Sequence, residues 1–362
     1  MASITKRYGK WQARYTWYDE DGKKHQKAKN GFPTKAAARK YAAKLEMQVA
    51  NGIAIQQDPT FADYYDNWFE TYKKNSVSDN TIRHYVLVGK LIREFFHQQK
   101  LKKITRSRYQ QFINWYGQDH APETVKKVRA ISSACVRSAS LDGIISKNFA
   151  ERSTLVADNS RKMKVEYLSL SEISSLIKVL EDGRQPRYTA RYMVLTAIYT
   201  GARLGEIAAL TWNDIDFLHR TISINKAWDY LHGGGFKSTK NKSSVRVIAV
   251  NKKLLTLLKE LRSNDSSLIF MNPYHQIPSS NGVNKVLRNA LKRAGLSKRD
   301  FHFHSLRHSH VAYLLSQGID LYTISKRLGH SSMMTTGKIY AYLIDEYQQK
   351  QNDDIREKLQ NL

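Results

Sequence analysis

Residues 200–210 read TGARLGEIAAL, and how this stretch is parsed decides the fold of the second half of the chain. Arg203 stands at the turn into a helix, directly after an apolar helix expected from about Arg187 to Tyr199. Alone, an arginine here reads as the partner of a carboxylate, with Glu206 one turn away. Further on, residues 301–310 read FHFHSLRHSH, which puts His304 and Arg307 one helical turn apart on one face. RLGHSS, residues 327–332, sets His330 behind a helix-stopping Gly329, and TTGKIYAYL, residues 335–343, carries Tyr340. Between the arginines, residues 214–250 turn to strand character at Ile215, Phe217, Ile222 and Ile224, then at Val245, Val247 and Ala249. Helices return from Asn251, Gly282, His304 and Asp320, so this segment reads as mostly helical α+β.

Charge narrows the function. Among 362 residues, 59 Lys and Arg face 32 Asp and Glu, a formal net charge of +27 that calls for a polyanionic partner. Double-stranded DNA is the leading candidate. An acidic membrane surface fits less well, because no apolar run approaches spanning length and the basic residues are spread through every segment. The opening MASITKRYGKW has no apolar core of a secretory signal, and the single Cys135 allows neither an internal disulfide nor a Cys-rich zinc site, which fits a reducing cytoplasm. The cluster His302, His304, His308 and His310 lacks a Cys or carboxylate at ligand spacing, so no metal is expected there. Asp214 and Asp216 suggest a two-metal site only weakly, since Asp is a common turn residue where strands begin.

Upstream, the chain reads as two further domains. In residues 1–55, Trp11, Ala13, Tyr15 and Trp17 alternate with polar residues, Asp21-Gly22 supplies a hairpin turn, and a shorter strand at Ile4–Tyr8 makes a three-stranded sheet. Thr34 caps a helix expected to close over the sheet with Ala37, Tyr41, Leu45 and Val49. Lys24, Lys27 and Lys29 on the last strand are candidate DNA contacts. Residues 59–150 read as all-α, with Phe61, Tyr64, Tyr65, Trp68, Phe69 and Tyr72 forming a stripe that packs a core. Their basic neighbours Lys126, Lys127, Arg129 and Arg137 are the better candidates for DNA. Residues 151–167 lack periodicity and read as a linker; Ser169 and Glu172 have capping-box spacing where the last domain, 168–362, begins.

The ordered set TGARLGE, HSLR, LGH and Tyr340 resembles the tyrosine recombinase, or phage integrase, family, whose catalytic domain carries an Arg in T-G-x-R-x-x-E, a His-x-x-Arg pair, a Leu-Gly-His box and a tyrosine soon after. The family also uses a lysine on a β-hairpin between the arginines; the hairpin segment FKSTKNKSSVRVIAV selects Lys240, with Lys237 and Lys242 as alternatives. The resemblance makes Tyr340 the nucleophile and leaves Tyr342, two positions later, as its rival. It implies a helical core-binding domain at 59–150 and, at 1–55, the arm-binding domain found in integrases of phages, conjugative transposons and genomic islands.

The chemistry agrees. Attack on a phosphodiester spreads charge over its non-bridging oxygens, which planar bidentate donors such as Arg203 and Arg307 stabilise. A phenol with a pKa of about 10 is a weak nucleophile at neutral pH and needs a proton acceptor; His304 is the expected base. Through the resemblance, Lys240 protonates the departing 5′ oxygen and His330 donates to a phosphate oxygen. The bond energy is kept in a 3′-phosphotyrosyl link, so neither ATP, metal nor any other cofactor is required. The expected activity is integration and excision of a mobile element by a tetramer on DNA, with an excisionase and a host DNA-bending protein as further partners, in a bacterial cytoplasm at the nucleoid. Resolution of a chromosome or of an element, a relaxing topoisomerase and a non-catalytic DNA-binding regulator are the alternatives, and the arm-like N-terminal segment speaks against chromosome resolution and the topoisomerase. The polar tail, with Ile355, Leu359 and Leu362 on one helical face, is expected to dock on a neighbouring protomer.

Overall fold

The computed structural model describes residues 2–18, 24–50, 58–162, 165–239 and 241–330, together with positions 334, 337, 340, 356 and 359. It divides into two compact units, Met1–Met163 and Lys164–Leu362.

The first unit opens with β1 (Ala2–Arg7), β2 (Lys10–Tyr18) and β3 (Lys24–Phe32), an antiparallel sheet in the order β1-β2-β3. Tyr8 and Gly9, at φ 48° and 77°, make the two-residue turn between the first strands, a left-handed pair that matches strand twist. Asp21-Gly22 lies outside the described residues. Helix α1 (Lys35–Ala50) starts from Thr34, whose Oγ1 accepts from the amide of Ala37 at 3.1 Å. Its buried face holds Leu45, as expected, but runs through Ala38 and Ala42 and not through Ala37 and Tyr41. The small Ala38 and Ala42 let the helix pack closely on Ala13, and Tyr41 is left partly buried at the edge.

Register decides which basic residues share the open face of this sheet. Ala13 pairs with Lys29 and Tyr15 with Lys27, so both lysines lie on the helix-covered side, where the Lys29 ammonium sits 5.3 Å from the Tyr41 ring. Lys24, paired with Tyr18, falls on the opposite face with Arg14 and Thr16.

The helical part of this unit contains α2 (Phe61–Tyr72), α3 (Asp79–Phe96), α4 (Arg106–Gly117) and α5 (Pro122–Leu141). Thr60 caps α2, and Phe61, Tyr64, Tyr65, Trp68 and Phe69 enter one core with Ile92, Phe112, Val125 and Cys135; Tyr72 stays exposed. Their polar atoms are satisfied inside it: Tyr64 donates to Asp142 at 2.7 Å and the Trp68 indole to Ser138 at 3.0 Å. Residues 151–162 contain no helix or strand beyond the single turn Asn159–Arg161, yet they are stitched to their neighbours. Arg106 donates to the carbonyl of Arg152, Arg129 to that of Ser153, and Gln110 exchanges hydrogen bonds with Thr154. Gly117 lets this strap cross α4, since a Cβ there would stand 2.0 Å from the Val156 oxygen.

In the second unit, α6 (Leu170–Glu181) begins with the Ser169–Glu172 capping box. The next helix, α7 (Thr189–Thr200), is almost wholly buried and forms the centre of the core. After the short α8 (Leu204–Ala208) come β4 (Ile215–Asp216), β5 (Thr221–Ile224), the hairpin β6 (Lys226–Trp228) and β7 (Phe236–Ser238), and β8 (Arg246–Ala249). The order β4-β5-β8 is antiparallel. Ile222 pairs with Ile248, which turns Ile248 inward and leaves the expected Val245 and Val247 exposed. Asp214 is a buried cap and ion-pair residue, bonded to Thr211 and to Lys226. Helices α9 (Lys252–Glu260), α10 (Ser280–Arg293), α11 (Phe303–Ser316) and α12 (Leu321–Leu328) complete the unit, with Asn251 and Asp320 as caps and Gly329, at φ 68°, ending α12. Of the C-terminal tail, only Arg356 and Leu359, both helical, belong to the described residues.

Candidate active site

The site forms where the α7–α8 junction, α11 and the end of α12 meet. Gly201 closes α7 at φ 65°, and a Cβ on it would lie 2.7 Å from the His310 ring and 2.9 Å from Leu328. Glycine is required there twice, by backbone conformation and by crowding. The released chain places Arg203 at the N-cap of α8.

Glu206, buried one turn into α8, organises the cations around it. Its carboxylate accepts from the Arg203 amide at 2.9 Å, from Arg203 Nη1 at 2.7 Å and from Arg246 Nη2 at 2.9 Å. Burial alone would raise its pKa, but Arg246 and then Arg203 outweigh it and hold the carboxyl below its ordinary range. Arg246 also donates to the carbonyls of Arg327 and Ser244. The guanidinium of Arg203, about a third exposed, is thus oriented with free N–H groups to spare.

Arg307 is the hub. It is 2% exposed, and its Nη1 donates to the Gly201 carbonyl at 2.8 Å while Nη2 donates to that of Leu328 at 2.6 Å. Those carbonyls lie two residues before Arg203 and two before His330, so one side chain ties both segments to α11. Burial and the charge of Arg203 push its pKa down to about 9, which leaves it charged at neutral pH. Three of its N–H groups remain for a ligand.

His330 follows Gly329, where a Cβ would meet the backbone of Ser243 at 2.9 Å and of Ser244 at 3.0 Å; the glycine lets the end of α12 settle on the segment before β8. Burial, then Arg307 and Arg203, push its imidazole down to about 4. The same causes, burial first and then Arg307, act on His304. Beneath them Arg327 donates to Nε2 of the buried His310 at 3.0 Å and to the carbonyls of Ala249 and Tyr199, while His310 Nδ1 donates to Ile198.

Tyr340 is 1% exposed and packs with Val311, Ala312, Ile324 and Leu328. Its hydroxyl lies 2.8 Å from Nδ1 of His308. His304, the base expected from the sequence, stands one turn away with its ring edge-on to that of His308 at 5.2 Å. The structure thus gathers Arg203, His304, Arg307, His330 and Tyr340 in one unit. Lys240 and Tyr342 lie outside the described residues. Lys237, on β7, is held by Asp229 at 3.2 Å within its own hairpin, and Lys242 opens the turn Lys242–Ser244. Among the described residues no group of His, Cys, Asp and Glu is arranged to hold a metal ion. Of the candidate DNA contacts, Lys126, Lys127 and Arg137 are exposed on α5, whereas Arg129 is spent on Ser153.

Sequence reading took His308 and His310 only as parts of a discounted metal cluster and passed over three things: the contact of His308 with Tyr340, Arg246, and the His310–Arg327 pair. The first could have been found from the position of His308: one residue after Arg307 and one turn after His304, it shares the face that bears both.

Comparison with known proteins gives a consistent result. The profile described as Phage integrase family matches residues 166–346, that of a phage integrase N-terminal SAM-like domain residues 60–116, and that of an Arm DNA-binding domain residues 3–49. The ICEBs1 integrase of Bacillus subtilis is 26% identical over 288 residues, covering 74% of this chain and 75% of that protein. A Tyrosine recombinase XerC-like protein of Caldanaerobacter subterraneus is 25% identical over 365 residues, covering 90% of each. Among solved structures, the Tn1549 transposon integrase in complex with transposon right-end DNA superposes at a TM-score of 0.67 with 17% identity, over 78% of this chain and 94% of that one. A lambda integrase tetramer bound to a Holliday junction superposes at 0.59 with 18% identity, over 93% and 94%. At these identities the structural likeness establishes the fold.

Proposed function

The chain belongs to the phage integrase family and is a tyrosine site-specific recombinase; on that premise we propose that Tyr340 is its nucleophile and that Arg203 and Arg307 cradle the phosphate that it attacks. Site-specific recombination, in the directions of integration and excision, is the activity. The observation that carries the residue assignment is the pair of hydrogen bonds from Arg307 to Gly201 and Leu328, which fixes Arg203, Arg307 and His330 in one frame beside Tyr340.

In this reading the non-bridging oxygens lie against Arg203 and Arg307, both oriented before substrate arrives, so little reorganisation remains at the transition state. His304 and His330 flank the same phosphate as hydrogen-bond donors. Tyr340 attacks phosphorus, Lys240 protonates the departing 5′ oxygen, and the 3′-phosphotyrosyl link stores the bond until a 5′ hydroxyl from the partner duplex reverses the step. Tyr340 is buried, so DNA binding and assembly must open a path for the scissile phosphate to its hydroxyl; a tetramer joining two duplexes supplies that coupling.

Residues 1–55 serve as the arm-binding domain, 59–150 as the core-binding domain, 151–167 as the linker and 168–362 as the catalytic domain and tail, in keeping with the spans of the three matching profiles. The open sheet face with Arg14 and Lys24 is the surface offered to arm DNA. Lys126, Lys127 and Arg137 are offered to the core duplex. Among the described residues no helix is long and apolar enough to cross a membrane. The proposal includes action on nucleoid DNA in a bacterial cytoplasm, with an excisionase and a host DNA-bending protein biasing direction.

The test begins by sequencing the junctions of the element that carries the gene, which maps the crossover. A plasmid bearing both junctions should then recombine with the purified full-length protein in buffer containing a chelator and no ATP. Arg203→Ala, Arg307→Ala and Tyr340→Phe should each abolish product while retaining DNA binding; recombination by Tyr340→Phe would remove the assignment.

A further inference from the structure

We propose that His308 takes the Tyr340 proton during cleavage and returns it on rejoining, an inference that rests on the reading of Tyr340 as nucleophile. Tyr340 packs with Val311, Ala312, Ile324 and Leu328, and at 1% exposure its hydroxyl is shielded from bulk water, which is therefore not its acceptor. Nδ1 of His308 stands 2.8 Å from it, within the range for direct proton transfer. His304 presents its ring to His308, at 89° and 5.2 Å, and so backs the proton acceptor. Arg307 and His308 are adjacent on α11, which couples phosphate binding and proton acceptance in one turn of helix.

The step balances. As the bond from Tyr340 Oη to phosphorus forms and the bond from phosphorus to the 5′ oxygen breaks, the phenolic proton passes to Nδ1 of His308, making an imidazolium, and the 5′ oxygen takes a proton from Lys240. In rejoining, the 5′ hydroxyl gives its proton to Lys240, and the departing Tyr340 oxygen recovers its own from His308. Acceptance requires the tautomer with hydrogen on Nε2, which leaves the Nδ1 lone pair aimed at the hydroxyl. In the free chain, burial, then His304, Arg307, His302 and His330, hold His308 down to about 4 and therefore neutral. A bound phosphodiester brings negative charge beside Arg307 and makes His308 more basic only once substrate is in place.

The experiment measures single-turnover covalent adduct formation by the full-length protein on the mapped crossover duplex, with an ordinary phosphate and with a 5′-bridging phosphorothiolate, whose sulfur leaves without a proton. His308→Asn puts an amide oxygen where Nδ1 stands, keeping a hydrogen bond to Tyr340 without basicity; His308→Ala removes both. Both variants should bind DNA normally and form adduct about 10²- to 10³-fold more slowly. The phosphorothiolate should rescue neither, while rescuing Lys240→Ala. Their rates should climb with pH toward the phenol's own ionisation. Wild-type speed in His308→Asn overturns the proposal and leaves His308 a seat for the ring; rescue by sulfur overturns it in favour of a leaving-group role. Adduct in Tyr340→Phe would instead sink the nucleophile assignment on which it stands. A second measurement needs no His308 variant: nitrogen-15 histidine spectra of the wild-type chain, assigned through the resonance that Tyr340→Phe displaces, should show His308 protonated at Nε2, and a proton on Nδ1 contradicts the proposal.

Discussion

Nη1 of Arg307 donates to the carbonyl oxygen of Gly201 at 2.8 Å, so the second arginine of the site is positioned by backbone that leads to the first. The geometry leaves no room for a side chain at Gly201. Gly201→Ala forces a left-handed alanine against the His310 ring and Leu328, and should destabilise the protein by about 2–4 kcal/mol. Denaturant melts and adduct assays check this; the same substitution at the open Gly183, also at positive φ, should cost stability without loss of cleavage beyond that of reduced folding.

Glu206 compensates Arg203 and Arg246 from a buried position. Glu206→Gln leaves two guanidinium groups facing a neutral amide, and a loss of about 3 kcal/mol is expected. The remaining folded protein should cleave slowly because Arg203 loses its orientation, while equilibrium binding to duplex DNA changes little. Unchanged cleavage with intact stability would show that the carboxylate does not position Arg203.

His310 sets a pH dependence of stability. It is buried, accepts from Arg327 and is pushed down to about 3 by burial first and Arg327 second, against an ordinary value of about 6.5 when unfolded. Between those values the unfolded chain binds a proton that the folded one does not, so stability is full above about pH 6.5 and falls by about 1.4 kcal/mol per unit as pH drops. His304, His308 and His330 are held down to about 4 and add to the same acid loss, so urea melts from pH 7 to pH 5 should show a steeper total slope, from which His310→Gln removes one proton's worth. A slope unaltered by that substitution would assign the acid sensitivity to other groups.

The open face of the N-terminal sheet predicts a separable DNA-binding surface. Replacing Arg14 and Lys24 by alanine should weaken binding to duplexes that include sequence flanking the crossover and flatten the salt dependence by about one unit for each phosphate no longer neutralised. Binding to a short core duplex should be preserved. Alanine at Lys29, whose ammonium rests on Phe32 and Tyr41, should disturb packing more than DNA affinity.

Much of this was legible because local chemistry dictated it. Thr34 and Ser169 cap helices where their spacing to apolar residues said they would, helices start from Asn251 and Asp320 as expected, and Gly329 ends α12. What escaped depends on packing between distant residues. The inward turn of Ile248 follows from pairing with Ile222, and the buried face of α1 follows from how closely Ala38 and Ala42 admit Ala13. Tyr8-Gly9 was hidden because tyrosine seldom adopts positive φ. His304 and His308 occupy the same face of α11, and only tertiary placement of Tyr340 distinguishes which of them meets the hydroxyl.

The central claim is the covalent bond. The full-length protein is incubated with a nicked suicide duplex of the mapped crossover, the adduct is digested with protease and nuclease, and the nucleotide-bearing peptide is sequenced by mass spectrometry. A 3′-nucleotide on Tyr340, absent from the Tyr340→Phe protein, is the predicted result; a nucleotide on Tyr342 or any other residue would contradict it.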